Sequence, residues 1–180
     1  TNLIVLAGEV RGPAAVANDK GAIEQAARDT VRRIGYEQEG FHWRTAEVQV
    51  HLHPQSVDIA QGVDASGNKD IGAGDQGIMF GYACNETDVL MPAPIHLSHA
   101  ILQAMAKARH AGEQPGFGPD AKSQVTLQYV DGKPVKATSV VVSTQHGADL
   151  SQEDVRVLVR PYVCLLYPSP SPETTHDPLF

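Results

Sequence analysis

The hydrophobic pattern of the first half of the chain predicts three strands. Residues 1–7 are mostly apolar, which predicts a buried strand. Residues 46–52 alternate strictly between apolar and polar side chains, which predicts a strand with one buried face. Residues 78–83 form another apolar run and are predicted as a third strand. Residues 55–77 lie between the last two and are rich in glycine without periodicity, which is typical of a functional loop.

Two helices are predicted from apolar residues that recur every three or four positions. The first covers residues 23–34, and Asn18 or Asp19 precedes it as a candidate N-terminal cap. Gly35 follows it, at the position where a left-handed glycine ends many helices. The second predicted helix covers residues 97–108.

A hairpin and a further helix are predicted in the second half of the chain. Alternating residues at 125–129 and 135–142 flank Asp131-Gly132, a dipeptide typical of tight hairpin turns. Ser151 with Asp154 three residues later forms a capping-box pattern before another helical segment. Strands, hairpin and helices in this mixed order indicate the α+β class rather than a doubly wound α/β fold.

Composition and charge narrow the range of functions. The 180 residues carry a formal net charge of −7, which argues against nucleic acid as a partner. No apolar run approaches the roughly 20 residues that cross a bilayer, so no membrane partner is predicted. The two cysteines, Cys84 and Cys164, lie far apart in sequence, so we expect no disulfide framework and predict a cytoplasmic location.

The glycine-rich loop contains a motif whose obvious interpretation fails on context. Residues 72–77 satisfy G-x-G-x-x-G, but a loop precedes them and an apolar, strand-like run follows, whereas a dinucleotide site needs a strand before and a helix after. Two interpretations remain: a turn that brings backbone and Asp75 close to a ligand, or an Asx turn in which Asp75 bonds its own backbone. His51 and His53 are spaced as a metal pair, but no third ligand lies nearby in sequence, so no metal site is predicted.

Charged residues near strand ends are further candidates. Asp120 and Lys122 lie two residues apart at the entrance of a strand and suit a phosphate-bearing ligand, although a surface ion pair gives the same pattern. Glu9 follows Gly8 at the end of the first strand, where a carboxylate either receives an ammonium group or is simply solvated. None of these features identifies an enzyme by itself.

Taken together and in order, these segments resemble the S-adenosylmethionine synthetases. The longest match is Gly72-Ala73-Gly74-Asp75-Gln76-Gly77-Ile78-Met79-Phe80-Gly81-Tyr82-Ala83. Further matches are residues 55–63, 85–95, 119–126 and 143–146. A run of 12 residues with four glycines is far more specific than a short motif, and the resemblance covers about residues 3–163.

The resemblance implies an activity and an architecture. Members of this family are methionine adenosyltransferases: the sulfur of L-methionine displaces tripolyphosphate at the ribose 5′ carbon of ATP, and the tripolyphosphate is cleaved to phosphate and pyrophosphate. Mg²⁺ and K⁺ assist this reaction. The family has three α+β domains with mixed or antiparallel sheets related by pseudo-threefold symmetry, and it forms homodimers or tetramers with shared active sites.

The same resemblance assigns roles to individual residues. Glu9, Gln55 and Asp75 match positions that contact methionine or face the substrates. Asp120 and Lys122 match an Asp-Ala-Lys segment that contacts ATP. No position of this chain matches the family's catalytic residues or metal ligands.

The resemblance also implies a division of the chain. Residues 1–54 correspond to the remainder of a first domain, 55–71 to a gating loop and 72–163 to the central domain. Residues 164–180 contain four prolines and lie beyond the resemblance, so they are interpreted either as a disordered tail or as a sequence-assembly scar.

Two departures and several missing segments qualify the assignment. His53-Pro54 replaces a more usual Gly-Lys, and Phe117-Gly118 replaces a bulkier, basic pair. The family's His-Pro-Asp-Lys segment is expected before Thr1 and its third domain after Val163, so we expect the chain alone to be inactive. The alternatives are a non-catalytic truncated homologue that binds nucleotide or a complete synthetase subunit, and an orphan α+β domain with a structural glycine loop.

Overall fold

The computed structural model describes residues 1–13, 19–55 and 77–164. The chain divides into two compact units, Thr1–Gly81 and Tyr82–Phe180. Among the described residues, the first unit combines one helix with two sheets of two strands, and the second combines two helices with one such sheet. The predicted α+β class is therefore confirmed.

The first unit is built on a pair of parallel strands joined by a helical crossover. Its elements are β1 (Leu3–Val10), α1 (Lys20–Ile34), β2 (Glu37–Gln38), β3 (Phe41–His42) and β4 (Glu47–Pro54). β1 pairs with β4 in parallel, and β2 pairs with β3 in a short antiparallel ladder. A parallel pair needs a long connection between its strands, and α1 with the short hairpin supplies it.

Helix α1 has the cap residues and the end that the sequence predicts, but it begins at Lys20, three residues before the predicted start. Asp19 accepts a hydrogen bond at Oδ1 from the backbone N–H of Ala22 at 2.9 Å, which satisfies one of the free donors of the first turn. Gly35 has a φ of 105°, and its N–H donates to the carbonyl of Val31 at 3.1 Å. Arg28 fixes the helix laterally by donating to the carbonyl of Trp43 at 2.9 Å.

The prediction of a buried first strand is half wrong. The strand exists and extends to Val10, but its side chains alternate between half-buried and exposed, and Val5 is 52% exposed. The reason is that α1 is the one helix among the described residues of this unit, and it packs against β4. An apolar run does not distinguish a strand covered on one face from a strand covered on both.

The second unit places two helices on one long hairpin. Its elements are α2 (Ala93–His110), β5 (Phe117–Val130), β6 (Lys133–His146) and α3 (Gln152–Cys164). β5 and β6 are antiparallel, and the turn between them uses Asp131 and Gly132. Both residues have positive φ, 49° and 75°, which is the geometry of a type I′ hairpin turn, so this prediction is confirmed.

The core of the second unit lies where α2 and α3 meet the hairpin. Ile101 is fully buried, and the predicted apolar face of α2 is confirmed. The cluster of buried residues is Ile101, Met105, Phe117, Val125 and Val159. The capping box of α3 is also confirmed, because Ser151 and Asp154 exchange hydrogen bonds between side chain and backbone in both directions.

The predicted strand at residues 78–83 is wrong. Residues 77–84 adopt no regular structure, and the side chain of Met79 is 95% exposed. A strand requires a neighbour that pairs with its N–H and C=O groups, and none of the described strands pairs with this segment. The apolar run alone therefore predicted neither the irregular backbone of this segment nor the exposure of its side chains.

Candidate functional site

Two of the candidate residues lie at the same edge of the parallel sheet in the first unit. Glu9 is paired in register with His53, and the N–H of Gln55 donates to the carbonyl of Val10 at 3.1 Å. Because β1 and β4 are parallel, both residues lie at the carboxyl end of the pair. Because side chains alternate between faces, Glu9 and its partner His53 belong to one face, and Gln55 directly follows the end of β4. Loops and ligands commonly meet at this end of parallel strands.

The two side chains at this edge have different environments. The carboxylate of Glu9 is exposed. Oε1 of Gln55 is buried, and no described residue donates a hydrogen bond to it. A buried acceptor without a donor costs about 1–3 kcal/mol, so a hydrogen-bond donor at this oxygen would be stabilising.

Asp120 and Lys122 form an exposed ion pair at the beginning of the long hairpin. Lys122 Nζ lies 3.5 Å from Asp120 Oδ2, and both side chains are largely exposed to solvent. An exposed pair of this kind contributes little to stability. Its ammonium group therefore stays accessible to an anionic ligand, and the geometry agrees with both interpretations of the sequence, ligand site and surface pair.

The Asp120 backbone belongs to a large bulge in the hairpin. Phe117 pairs with His146 and Ala121 pairs with Thr144, so three residues of β5, numbered 118–120, face the single residue Gln145 of β6. Bulges of this kind bend a strand and redirect its side chains, and they are frequent next to functional sites.

A second polar cluster joins the start of α2 to the end of β5. The hydroxyl of Tyr129 donates to Oε2 of Glu86 at 2.7 Å, and the N–H of Ala93 donates to the same oxygen at 3.0 Å. The Ala93 and Tyr129 donors hold the pKa of Glu86 below its ordinary value. The bond to Glu86 raises the pKa of Tyr129 to about 12.

The structure describes the histidine pair but not most of the glycine motif. His51 and His53 are both exposed on β4, and in the described parts of the chain no three histidine, cysteine or carboxylate side chains are grouped as metal ligands. Residues 72–76 of the glycine motif, including Asp75, lie outside the described residues. The role expected for Asp75 therefore stays a prediction.

Comparison with known proteins decides the family. The sequence profile described as "S-adenosylmethionine synthetase, central domain" matches residues 70–174. The chain belongs to the S-adenosylmethionine synthetase family. The resemblance inferred from the sequence is thus confirmed.

Relatives in this family are close in sequence. The chain is 66% identical over 169 residues to the S-adenosylmethionine synthase of Parvibaculum lavamentivorans, an alignment that covers 94% of this chain and 43% of that protein. It is 64% identical to S-adenosylmethionine synthase 2 of Rhodospirillum rubrum, over 93% of this chain and 42% of that protein. It is 65% identical to the synthase of Paramagnetospirillum magneticum, over 91% of this chain and 42% of that protein. The chain spans less than half the length of these synthetases.

Sequence reasoning missed the bulge and the cluster around Glu86. Pro119 carried a signal for the bulge, because a proline inside a strand occurs mainly at edges and bulges. No local signal predicted the contact between Glu86 and Tyr129, since the two residues are separated by 43 positions.

In the described part of the chain no helix has both the length and the apolar character of a membrane span.

Proposed function

We propose that this chain is part of a methionine adenosyltransferase. In the proposed reaction the sulfur of L-methionine attacks the ribose 5′ carbon of ATP. A carbon–sulfur bond forms as the carbon–oxygen bond to tripolyphosphate breaks, and the tripolyphosphate is then hydrolysed to phosphate and pyrophosphate. The sulfur is already a good nucleophile, so the protein's contribution is alignment of the reactants and neutralisation of the leaving group.

The observation that carries this proposal is that Glu9 and Gln55 lie at the same edge of the parallel sheet, and that Oε1 of Gln55 has no partner among the described residues. The ammonium group of methionine supplies both a positive charge and hydrogen-bond donors. Glu9 is a carboxylate that pairs with the charge, and Oε1 of Gln55 is a buried acceptor that lacks a donor among the described residues. We propose that these two residues bind the amino acid and that Asp75 faces the same substrate.

In the second unit, we propose that Asp120 and Lys122 bind ATP. Lys122 provides an accessible ammonium group for a phosphate, and Asp120 lies 3.5 Å from it. We further propose that residues 55–71 form a gating segment and that residues 72–163 form the central domain. Such a segment excludes water from the reactants during adenosyl transfer.

Mg²⁺ and K⁺ are the proposed metal cofactors. A magnesium site needs several oxygen ligands with octahedral geometry. Among the described residues the carboxylates are not grouped in threes, and Asp120 is already paired with Lys122. These residues do not form a metal site of their own.

We also propose that the protein forms a homo-oligomer and is located in the cytoplasm. The hairpin exposes apolar side chains, among them Val135 and Val141, which supports a homo-oligomer that covers them. Cys84 and Cys164 are both free thiols, which supports the cytoplasm as the location.

A chimeric enzyme tests the proposal directly. The chain replaces the aligned segment of the Parvibaculum lavamentivorans synthase, and adenosyl transfer from ATP to radiolabelled methionine is measured beside the 180-residue chain alone. We expect the chimera to be active. In it, Lys122→Ala is expected to raise KM for ATP roughly 10- to 100-fold, the range for losing a charge-assisted hydrogen bond. Glu9→Ala is expected to raise KM for methionine by a similar factor.

Lys136→Ala is the matched control, since Lys136 is an exposed lysine on the same hairpin. An inactive chimera with unaltered folding would contradict the proposed activity for this chain. Unchanged Michaelis constants in both substituted enzymes would instead reject the assignment of Lys122 and Glu9 while leaving the activity in place.

A further inference from the structure

We propose that Gln145 is a positioning residue that holds Asp120 in place for nucleotide binding. The inference rests on the proposed ATP-binding role of Asp120 and Lys122. It identifies a residue that fixes the pair without touching the ligand itself.

The bulge in β5 interrupts the regular pairing of the hairpin. Residues 118–120 face only Gln145, so the ladder between β5 and β6 is interrupted at this point. The two strands are paired on either side of the bulge. Before it, the N–H of Gly147 donates to the carbonyl of Gly116 at 3.0 Å, and after it Ala121 pairs with Thr144. Within the bulge, backbone donors lack ladder partners, and a side chain or water can replace them.

Gln145 supplies that replacement. Its Oε1 lies 3.5 Å from the backbone nitrogen of Asp120, at the long end of hydrogen-bond range. Pro119 has no N–H, so within the bulge the N–H of Asp120 is the backbone donor closest to the point where the regular ladder resumes. A glutamine at position 145 therefore acts as a local substitute for the missing cross-strand carbonyl.

Gly118 makes room for this arrangement. A Cβ at position 118 would lie 2.6 Å from both Cγ and Cδ of Gln145, well inside van der Waals contact. Any larger residue at this position displaces the glutamine side chain from the bulge. The Gln145 amide can therefore occupy this space only because residue 118 has no side chain.

The consequence for the site follows from the position of Asp120. Lys122 is in the regular ladder, paired with Ser143, and its backbone is held by β6. Asp120 is the last residue of the bulge, and the contact from Gln145 fixes its N–H relative to the ladder. Loss of this contact frees the backbone of Asp120, and the carboxylate and ammonium groups no longer present a fixed pair to the phosphates.

Three variants separate hydrogen bonding from packing. Gln145→Met keeps the length of the side chain and removes the acceptor. Gln145→Glu keeps an acceptor oxygen at the same position. Gly118→Ala leaves the glutamine intact but occupies its space. The matched control is Gln128→Met, because Gln128 is an exposed glutamine on the same hairpin, far from the bulge along β5.

Two readouts are measured on the 180-residue chain. The first is the exchange rate of the Asp120 amide with deuterium, followed by NMR. We expect Gln145→Met and Gly118→Ala to accelerate exchange about fivefold, the typical effect of losing one net hydrogen bond, and Gln145→Glu to retain slow exchange. The second is ATP affinity by calorimetry, which we expect to fall about fivefold in Gln145→Met while Tm stays within the range of the Gln128→Met control.

The outcomes distinguish this inference from the proposed function. Unchanged exchange at Asp120 in Gln145→Met overturns the inference whatever the ATP affinity is. Accelerated exchange with unchanged ATP affinity also overturns it, because Gln145 then acts on the bulge alone. If the unsubstituted chain binds no ATP, the proposed nucleotide site of this chain fails, and the exchange measurement still decides whether Gln145 holds Asp120. The Gly118→Ala/Gln145→Met double variant is expected to match the single variants, since both remove one contact.

Discussion

Tyr129 donates its phenolic hydroxyl to Oε2 of Glu86 at 2.7 Å and thereby joins the end of β5 to the residues that lead into α2. The same carboxylate oxygen accepts the N–H of Ala93, the first residue of α2, at 3.0 Å. Glu86 therefore acts as a side-chain cap for α2, whose N-cap position is occupied by Pro92 without a capping side chain. One oxygen connects the helix start with the hairpin on which the proposed nucleotide pair lies.

Removal of the Tyr129 hydroxyl is expected to weaken this connection. Tyr129→Phe keeps the ring and deletes only the donor, so we expect Tm to fall by about 2 °C, since the bond is exposed and its net contribution is small. Tyr82→Phe is the control, because the described residues give the Tyr82 hydroxyl no bond of this kind. An equal Tm for the two variants, measured by circular dichroism, would contradict a stabilising role for the bond.

The bond to Glu86 also predicts the titration of Tyr129. Its pKa is raised from an ordinary value of 10.0 to about 12, because the neutral hydroxyl donates to a carboxylate. Since the folded-state pKa is raised, the stabilisation is complete below about pH 10 and is lost as the pH rises toward 12. Near-ultraviolet absorbance is expected to show a tyrosine that ionises near pH 12, and that step is expected to disappear in Tyr129→Phe. A titration curve that is identical in both proteins argues against the contact in solution.

The features that the sequence predicted correctly depend on neighbouring residues. Asp19 caps a helix that begins one residue later, and Asp131-Gly132 closes its own turn. The features it missed depend on distant residues. Glu86 meets Tyr129 only after the hairpin has folded back, and Gln145 reaches Asp120 only because the register shifts. Local patterns specify caps and turns, whereas cross-strand contacts require the register, which no local pattern contains.

The buried face of α2 predicts a large effect of a core substitution. Ile101 is 0% exposed and lies in the cluster between both helices and the hairpin. Ile101→Ala is expected to lower the free energy of unfolding by about 2–5 kcal/mol, because it removes buried methyl groups and leaves a cavity. Ile95→Ala on the same helix is the control, with an expected loss under about 1 kcal/mol, since Ile95 is 41% exposed. Urea denaturation of both variants gives the comparison, and similar losses would place Ile101 outside the core.

The N-terminal cap of α1 predicts a smaller effect in the first unit. Asp19→Ala removes the acceptor for the N–H of Ala22 and is expected to cost about 1 kcal/mol of unfolding free energy. Asp19→Asn keeps an acceptor oxygen and is expected to restore most of this loss, since asparagine caps helices nearly as well. Thermal denaturation followed by circular dichroism compares the three proteins. If asparagine behaves like alanine, the capping bond does not account for the stability.

The unpartnered oxygen of Gln55 predicts a conflict between stability and binding. Gln55→Met replaces a buried acceptor without a described donor by an apolar side chain of similar length, so we expect the free energy of unfolding without ligand to rise by about 1 kcal/mol. The same change removes the proposed acceptor for the ammonium group of methionine and is expected to weaken methionine binding about tenfold or more. Gln49→Met on the same strand is the matched control: Gln49 Nε2 already donates to Glu47 Oε1, so this change gives no gain in stability and no loss of methionine affinity. Denaturation curves with and without methionine separate the two effects, because a ligand stabilises only the protein that binds it. If Gln55→Met destabilises the free chain, then Oε1 already has a donor in solution, and the proposed amino-acid site at this sheet edge loses its main support.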